Sequence, residues 1–175
     1  SGGSVIGSLV RLIYAAERGT SDELASTERE VTEGVSERGT PSMRLLTLRY
    51  RGTALRFLGR HGEAASVMKD AVATAKALGA VRDAFLASTS LVFLHLDYAD
   101  FEQARWWLDE ARALAGPTQG HDLDRTLLHA TGRYFVDIGD DDACVATYAA
   151  HIGTLYDDEI LRRAVVDRAC LALAF

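Results

Sequence analysis

The side chains in this sequence that could do chemistry are five histidines, two cysteines and two acidic triplets. The histidines are His61, His95, His121, His129 and His151, and the triplets are Asp140-Asp141-Asp142 and Asp157-Asp158-Glu159. Imidazole, thiolate and carboxylate are the ligands of a zinc site, which needs three or four of them converging on one point. Cys144 and His151 are seven apart, two turns of a helix, and share a face if that stretch is helical. No third ligand falls at a spacing that joins them, so no metal is expected. Each acidic triplet stands where a helix is expected to start, and carboxylates there complement the positive end of the helix dipole. Capping is the simpler reading. No GxSxG, P-loop, HExxH or GxGxxG motif occurs, so neither a catalytic centre nor a cofactor is expected. Trp106 and Trp107 point about 100° apart on a helix. One is expected to pack and the other to stay partly exposed, as core filling or as a contact with a missing part of the parent protein.

The elements that would carry these residues are helical. Only two prolines occur, and Ala, Leu and Arg, all good helix formers, are abundant. The length of 175 residues suits one domain, which at this size buries roughly 70% of the surface of its unfolded chain. An apolar fraction of 48% and a charged fraction of 25% exclude a disordered or low-complexity chain. Lys plus Arg is 19 and Asp plus Glu is 25, so the net charge is −6, against the basic excess of nucleic-acid modules. No apolar run reaches the roughly 18 residues of a membrane span. Cys144 and Cys170 lack CxxC spacing and read as reduced, inert thiols of a cytoplasmic protein. Ser1-Gly2-Gly3-Ser4 reads as a cloning remnant or linker, leaving residues 5–175 as a single helical-repeat domain.

Three segments align at a constant offset of 40 residues. Gly52, Leu55, Leu58-Gly59, Ala64, Met68 and Ala71 match Val92, His95, Tyr98-Ala99, Ala104, Leu108 and Ala111. The next copy is Gly132, Phe135, Ile138-Gly139, Cys144, Tyr148 and a poorer match, His151. His95 therefore stands in place of Leu55 and Phe135 and is expected to be a packed, hydrogen-bonded core residue. A weaker copy precedes, and 159–175 resembles the opening helix of another that stops in an uncapped apolar run. The chain is thus expected to be a fragment of a longer protein. The repeats span about 5–39, 41–79, 82–116 and 122–156, with a partial one over 158–175.

Each copy holds two helical patterns. The first full copy has a helix over 43–58, a break at Gly59-Arg60-His61-Gly62, and a helix over 63–78 burying Ala64, Val67, Met68, Ala71, Val72 and Ala75. Thr40-Pro41 suits the earlier start and Gly79 the later end. About nine helices are expected, as four antiparallel pairs and one orphan. Small residues let helices cross closely: Gly52 should face Met68 or its neighbours, and Ala64 and Ala104 should let adjacent pairs approach. Ala115 lies outside this code and should tolerate a larger side chain.

This order of small and bulky residues, clearest in Leu55-Arg56-Phe57-Leu58-Gly59-Arg60-His61-Gly62-Glu63-Ala64, resembles the tetratricopeptide repeat. The likeness covers about 5–175 and is strongest over 43–151. Two departures stand out: the period is 40 rather than 34, and the proline after the second helix survives only as Pro117. HEAT or armadillo units share the longer period, but the Gly and Ala placement fits tetratricopeptide units better. The resemblance implies an all-α, right-handed superhelical stack of antiparallel helix pairs, an α-solenoid. Long repeats of this kind are similar to those beside the output domains of bacterial signalling and transcription-regulatory proteins.

In such arrays the first helix of each pair lines a concave groove that binds ligands. Carried across, the groove positions are Arg49, Thr53 and Arg56, then Thr89, Phe93 and Leu96, then His129, Arg133 and Val136. Arg49 and Arg56 are seven apart and point the same way. Aligned arginines on an acidic protein would focus positive potential on a protein or peptide partner, an acidic one above all. The alternative is that they pair with Asp97 or Asp137. The resemblance therefore implies a non-catalytic interaction module that takes a peptide, a partner or the parent protein's own output domain. The other readings are a sensor for a small anionic metabolite or signal peptide, and a stand-alone adaptor. Direct nucleic-acid or membrane contact is not expected, and oligomerisation is left open.

Overall fold

A computed structural model describes residues 7, 11–12, 14–15, 21–38, 40–116 and 121–151. They are all-α, with seven helices: α1 Ser21–Arg38, α2 Pro41–Phe57, α3 His61–Ala77, α4 Val81–Leu96, α5 Phe101–Ala115, α6 His121–Ile138 and α7 Asp141–His151. The count is seven where about nine were expected. The two others, the opening helix of the first repeat and the partial repeat over 158–175, fall largely or wholly outside the described residues, as do Ser1–Ser4, Pro117, Asp157-Asp158-Glu159 and Cys170. No described helix is long and apolar enough to cross a membrane.

Each helix packs on the next in the chain, α2 also approaches α4, and α4 approaches α6. No comparable backbone approach joins α3 to α5, which are linked by the long Lys76 side chain reaching the Glu110 carboxylate. The core runs through α2 to α6, with Leu55, Met68, Leu91, Leu94 and Leu108 almost fully buried in it. In α3 the buried Ala64, Val67, Met68, Ala71, Val72 and Ala75 recur every three or four residues, one apolar stripe. Helix α4 is covered on most sides, so even its Ser88 and Thr89 are buried.

The repeat code has a geometric basis. A Cβ on Gly52 would lie 2.5 Å from Met68 Cγ, as the sequence implied, and one on Gly132 would lie 2.1 Å from Tyr148 Oη. Ala64 and Ala104 are fully buried. Ala115 departs from expectation: it is 5% exposed, because it backs the Phe85 ring together with Ala111 and Leu123.

The starts and stops follow from local chemistry. Thr40, Asp100 and Asp140 accept hydrogen bonds from the amides of Met43, Gln103 and Ala143 at 3.3, 3.3 and 3.0 Å. Asp141 and Asp142 occupy the first turn of α7, so this triplet caps a helix. The break after α2 is shorter than expected, since His61 and Gly62 already belong to α3. Gly59, Ala99 and Gly139, which are repeat equivalents, all have positive φ, at 71°, 57° and 76°. In each turn the following amide bonds back to the carbonyl five residues earlier (Arg60 to Leu55, Asp100 to His95, Asp140 to Phe135).

Ala99 is the one non-glycine described with positive φ. The left-handed conformation costs an L-residue roughly 1–2 kcal/mol, against about 0.5–1 kcal/mol for the extra freedom glycine loses on folding. Ala99→Gly should therefore stabilise the chain by about 0.5–1 kcal/mol, raising the melting temperature by roughly 1–3 °C. An unchanged or lower melting temperature would contradict this reading of the turn.

Candidate functional site

Among the described residues no three His, Cys, Asp or Glu side chains are placed to hold a metal ion. Cys144 is fully buried, with its thiol 3.8 Å from the Gly132 carbonyl, and the side chain of its expected neighbour His151 lies outside the described residues. His95 is packed, and its Nδ1 is 3.2 Å from Asp100 Oδ2. Trp107 is buried while Trp106 is 55% exposed, the two rings meeting edge to face at 4.5 Å.

The arginine row lies on α2 and α6, with α4 between them. Arg56 Nε donates to Asp97 Oδ2 at 2.5 Å, and an Arg133 terminal nitrogen donates to Asp97 Oδ1 at 3.2 Å. One carboxylate at the end of α4 thus ties α2 to α6. Arg133 Nε also donates to Asp137 Oδ2 at 3.0 Å, one turn further along α6. Arg49 is held by the Asp83 carboxylate at the start of α4. Three guanidinium groups therefore face three carboxylates, and the uncompensated positive surface expected from the sequence is not there. The pairing with Asp97 and Asp137, weighed as its alternative, is the geometry found.

The aromatic members do converge. The Arg56 guanidinium lies 5.7 Å from the Phe93 ring centre and 5.7 Å from that of Phe57, positions suited to cation–π attraction. The ring of His129 is 5.1 Å from that of Phe93. Phe57 and Val136 are exposed, while Leu96 is buried. Thr53 and Thr89 do not join this surface as donors to a ligand. The Thr53 hydroxyl donates to the Arg49 carbonyl at 3.2 Å. Thr89 is only 2% exposed and donates to the Leu86 carbonyl at 3.0 Å.

Arg56 engages Asp97 through Nε, so its terminal amino groups have no hydrogen-bond partner among the described residues. Such a group can donate to an oxygen from outside while Asp97 and the two rings hold it still. No family model, curated protein or solved structure matches the chain.

Two charged residues central to this architecture carried no signal in the sequence. Asp83 is 34 residues from its arginine. Glu28 of α1 is nearly buried and accepts from Arg51 Nε at 2.5 Å, with Arg60 3.6 Å away. Neither spacing belongs to the 40-residue repeat.

Proposed function

We propose that the helices form part of a right-handed solenoid resembling a tetratricopeptide array. In this reading the chain is a non-catalytic, partner-binding regulatory module of a larger signalling or transcription-regulatory protein. The close approach of α2, α4 and α6, against the wider α3–α5 spacing bridged by long side chains, supports an inner and an outer row of helices. The observation that carries the function is the surface of that inner row. Asp97 fixes Arg56 and Arg133, Phe57 and Phe93 stand against Arg56, and the exposed Val136 follows Arg133 by three residues on α6.

Because its charges balance, this surface suits a peptide that brings apolar side chains and one or two oxygen acceptors. A small anion would draw little from it, since Asp83, Asp97 and Asp137 offset the arginines. Reversing the charge of Arg56 and Arg133 would set two new carboxylates against Asp97 and Asp137.

Phe57 is 59% exposed and offers a cleaner probe. Peptides selected by display on the immobilised chain should bind Phe57→Asp at least tenfold more weakly, a loss of about 1.4 kcal/mol. The melting temperature should fall by only about 1–4 °C, the cost of a carboxylate at the last residue of α2, and Trp106→Asp, on α5, should bind as the parent does. Loss of binding in Trp106→Asp but not in Phe57→Asp would move the site to the outer row.

A further inference from the structure

Two histidines from neighbouring helix pairs meet at one joint. His61 opens α3, and its ring lies 3.9 Å from that of Tyr98 in the turn between α4 and α5. His95 sits in the last turn of α4, with its side chain 12% exposed and its Nδ1 on Asp100, whose other oxygen caps α5. His61 Nδ1 and His95 Nε2 are both sealed from solvent without a hydrogen-bond partner among the described residues. A neutral imidazole tolerates one bare acceptor nitrogen. An imidazolium has two N–H donors, and a buried, unpaired donor that also carries charge is costly.

We propose that His61 and His95 make the joint between the α2–α3 and α4–α5 pairs acid-sensitive, so that protonation loosens the packing of one pair on the next. The surrounding charges come from every side. From α2 the Arg56 guanidinium faces His61, and from α4 and its end the His95 imidazole and the Asp97 carboxylate do so. Asp97 is already shared between Arg56 and Arg133 of α6. Lys69 of α3 acts on His95, as does Asp100 at the start of α5. Arg60, beside His61, is occupied by Glu63 and Glu28. Each histidine thus has one carboxylate in its favour, and that carboxylate has other duties.

Burial outweighs these carboxylates and holds both imidazoles below the ordinary value of 6.5. In the unfolded chain both protonate around 6.5, whereas in the folded chain they resist. The stability they contribute is therefore present above about pH 6.5 and is lost as the pH falls through the lower folded values. Because Tyr98 adjoins Asp97, loosening the joint also disturbs the carboxylate that links Arg56 to Arg133.

The test compares urea denaturation midpoints at pH 7.5 and pH 5.5 for the parent chain and for His61→Gln/His95→Leu, the leucine copying Leu55 at the equivalent position. The parent midpoint should fall by more than that of the variant, since carboxylate titration is common to both. Equal falls would overturn the proposal. Proton NMR titration of the parent's imidazoles supplies a measurement that needs no variant. Midpoints of His61 and His95 both below 6.5 support the acid-sensitive joint, and a midpoint at or above 6.5 for either overturns it.

Discussion

Gly132→Ala is expected to destabilise the chain by about 1–3 kcal/mol, even though alanine is the better helix former. Replacing glycine inside a helix gains about 0.8–1 kcal/mol in intrinsic propensity. At Gly132 the new methyl carbon would stand 2.1 Å from Tyr148 Oη, 2.3 Å from Cζ and 2.8 Å from Cε2. These are atoms of a rigid ring in a side chain only 3% exposed, so the ring must move as a whole and push α7 with it. Overpacking of this kind costs about 1–3 kcal/mol and occasionally more, enough to overcome the propensity gain. Gly52→Ala should cost less, because Met68 can change rotamer to yield. Urea melts of both variants check the order. A double-mutant cycle with Tyr148→Ala isolates the cause, since removing the ring should turn Gly132→Ala neutral or stabilising. Additive effects would mean that the glycine is there for a reason other than the ring.

The Gly52–Met68 and Gly132–Tyr148 contacts show which kind of information was legible in the sequence. A small residue and a bulky one sixteen positions later lie on two helices joined by a short turn, so their meeting is fixed by local geometry. The turn residues Gly59, Ala99 and Gly139 were legible for the same reason, and all three take the left-handed conformation. Asp83 and Glu28 were not. Their pairing with Arg49 and Arg51 depends on how far one helix slides past another, and the hydrophobic period leaves that open within a turn. The arginine row was readable as a row, and its pairing with Asp97 or Asp137 as an alternative, but the sequence did not decide between a positive groove and a balanced one, because the carboxylates enter from the ends of α4 and from α6 itself. Thr89 was misplaced because α4 has neighbours on both flanks, and one helix period does not say how many faces will be covered.

Phe85→Ala is expected to cost about 3–5 kcal/mol, the usual range for emptying a buried phenylalanine site. Phe85 is fully buried where α4, α5 and α6 meet, packed with Ala111 and Ala115 of α5 and Leu123 of α6. Here the size code runs across helix pairs rather than within one: two alanines on α5 leave the room that the ring of α4 fills. Collapse into the cavity is limited, because α4 is held on its other sides by α2 and α3. The same geometry explains why Ala115 should not tolerate the leucine that its position outside the repeat code suggested. Ala115→Leu alone should cost about 1–3 kcal/mol by overpacking. In the Phe85→Ala background, however, the leucine would occupy vacated volume and recover part of the loss. A coupling of at least about 0.5 kcal/mol in a urea-denaturation cycle is the expected result. Strictly additive losses would place Ala115 outside the Phe85 pocket, and the hold of α4–α5 on α6 would then rest on Ala130 and Tyr134 in the main core and on the Phe85–Leu123 contact.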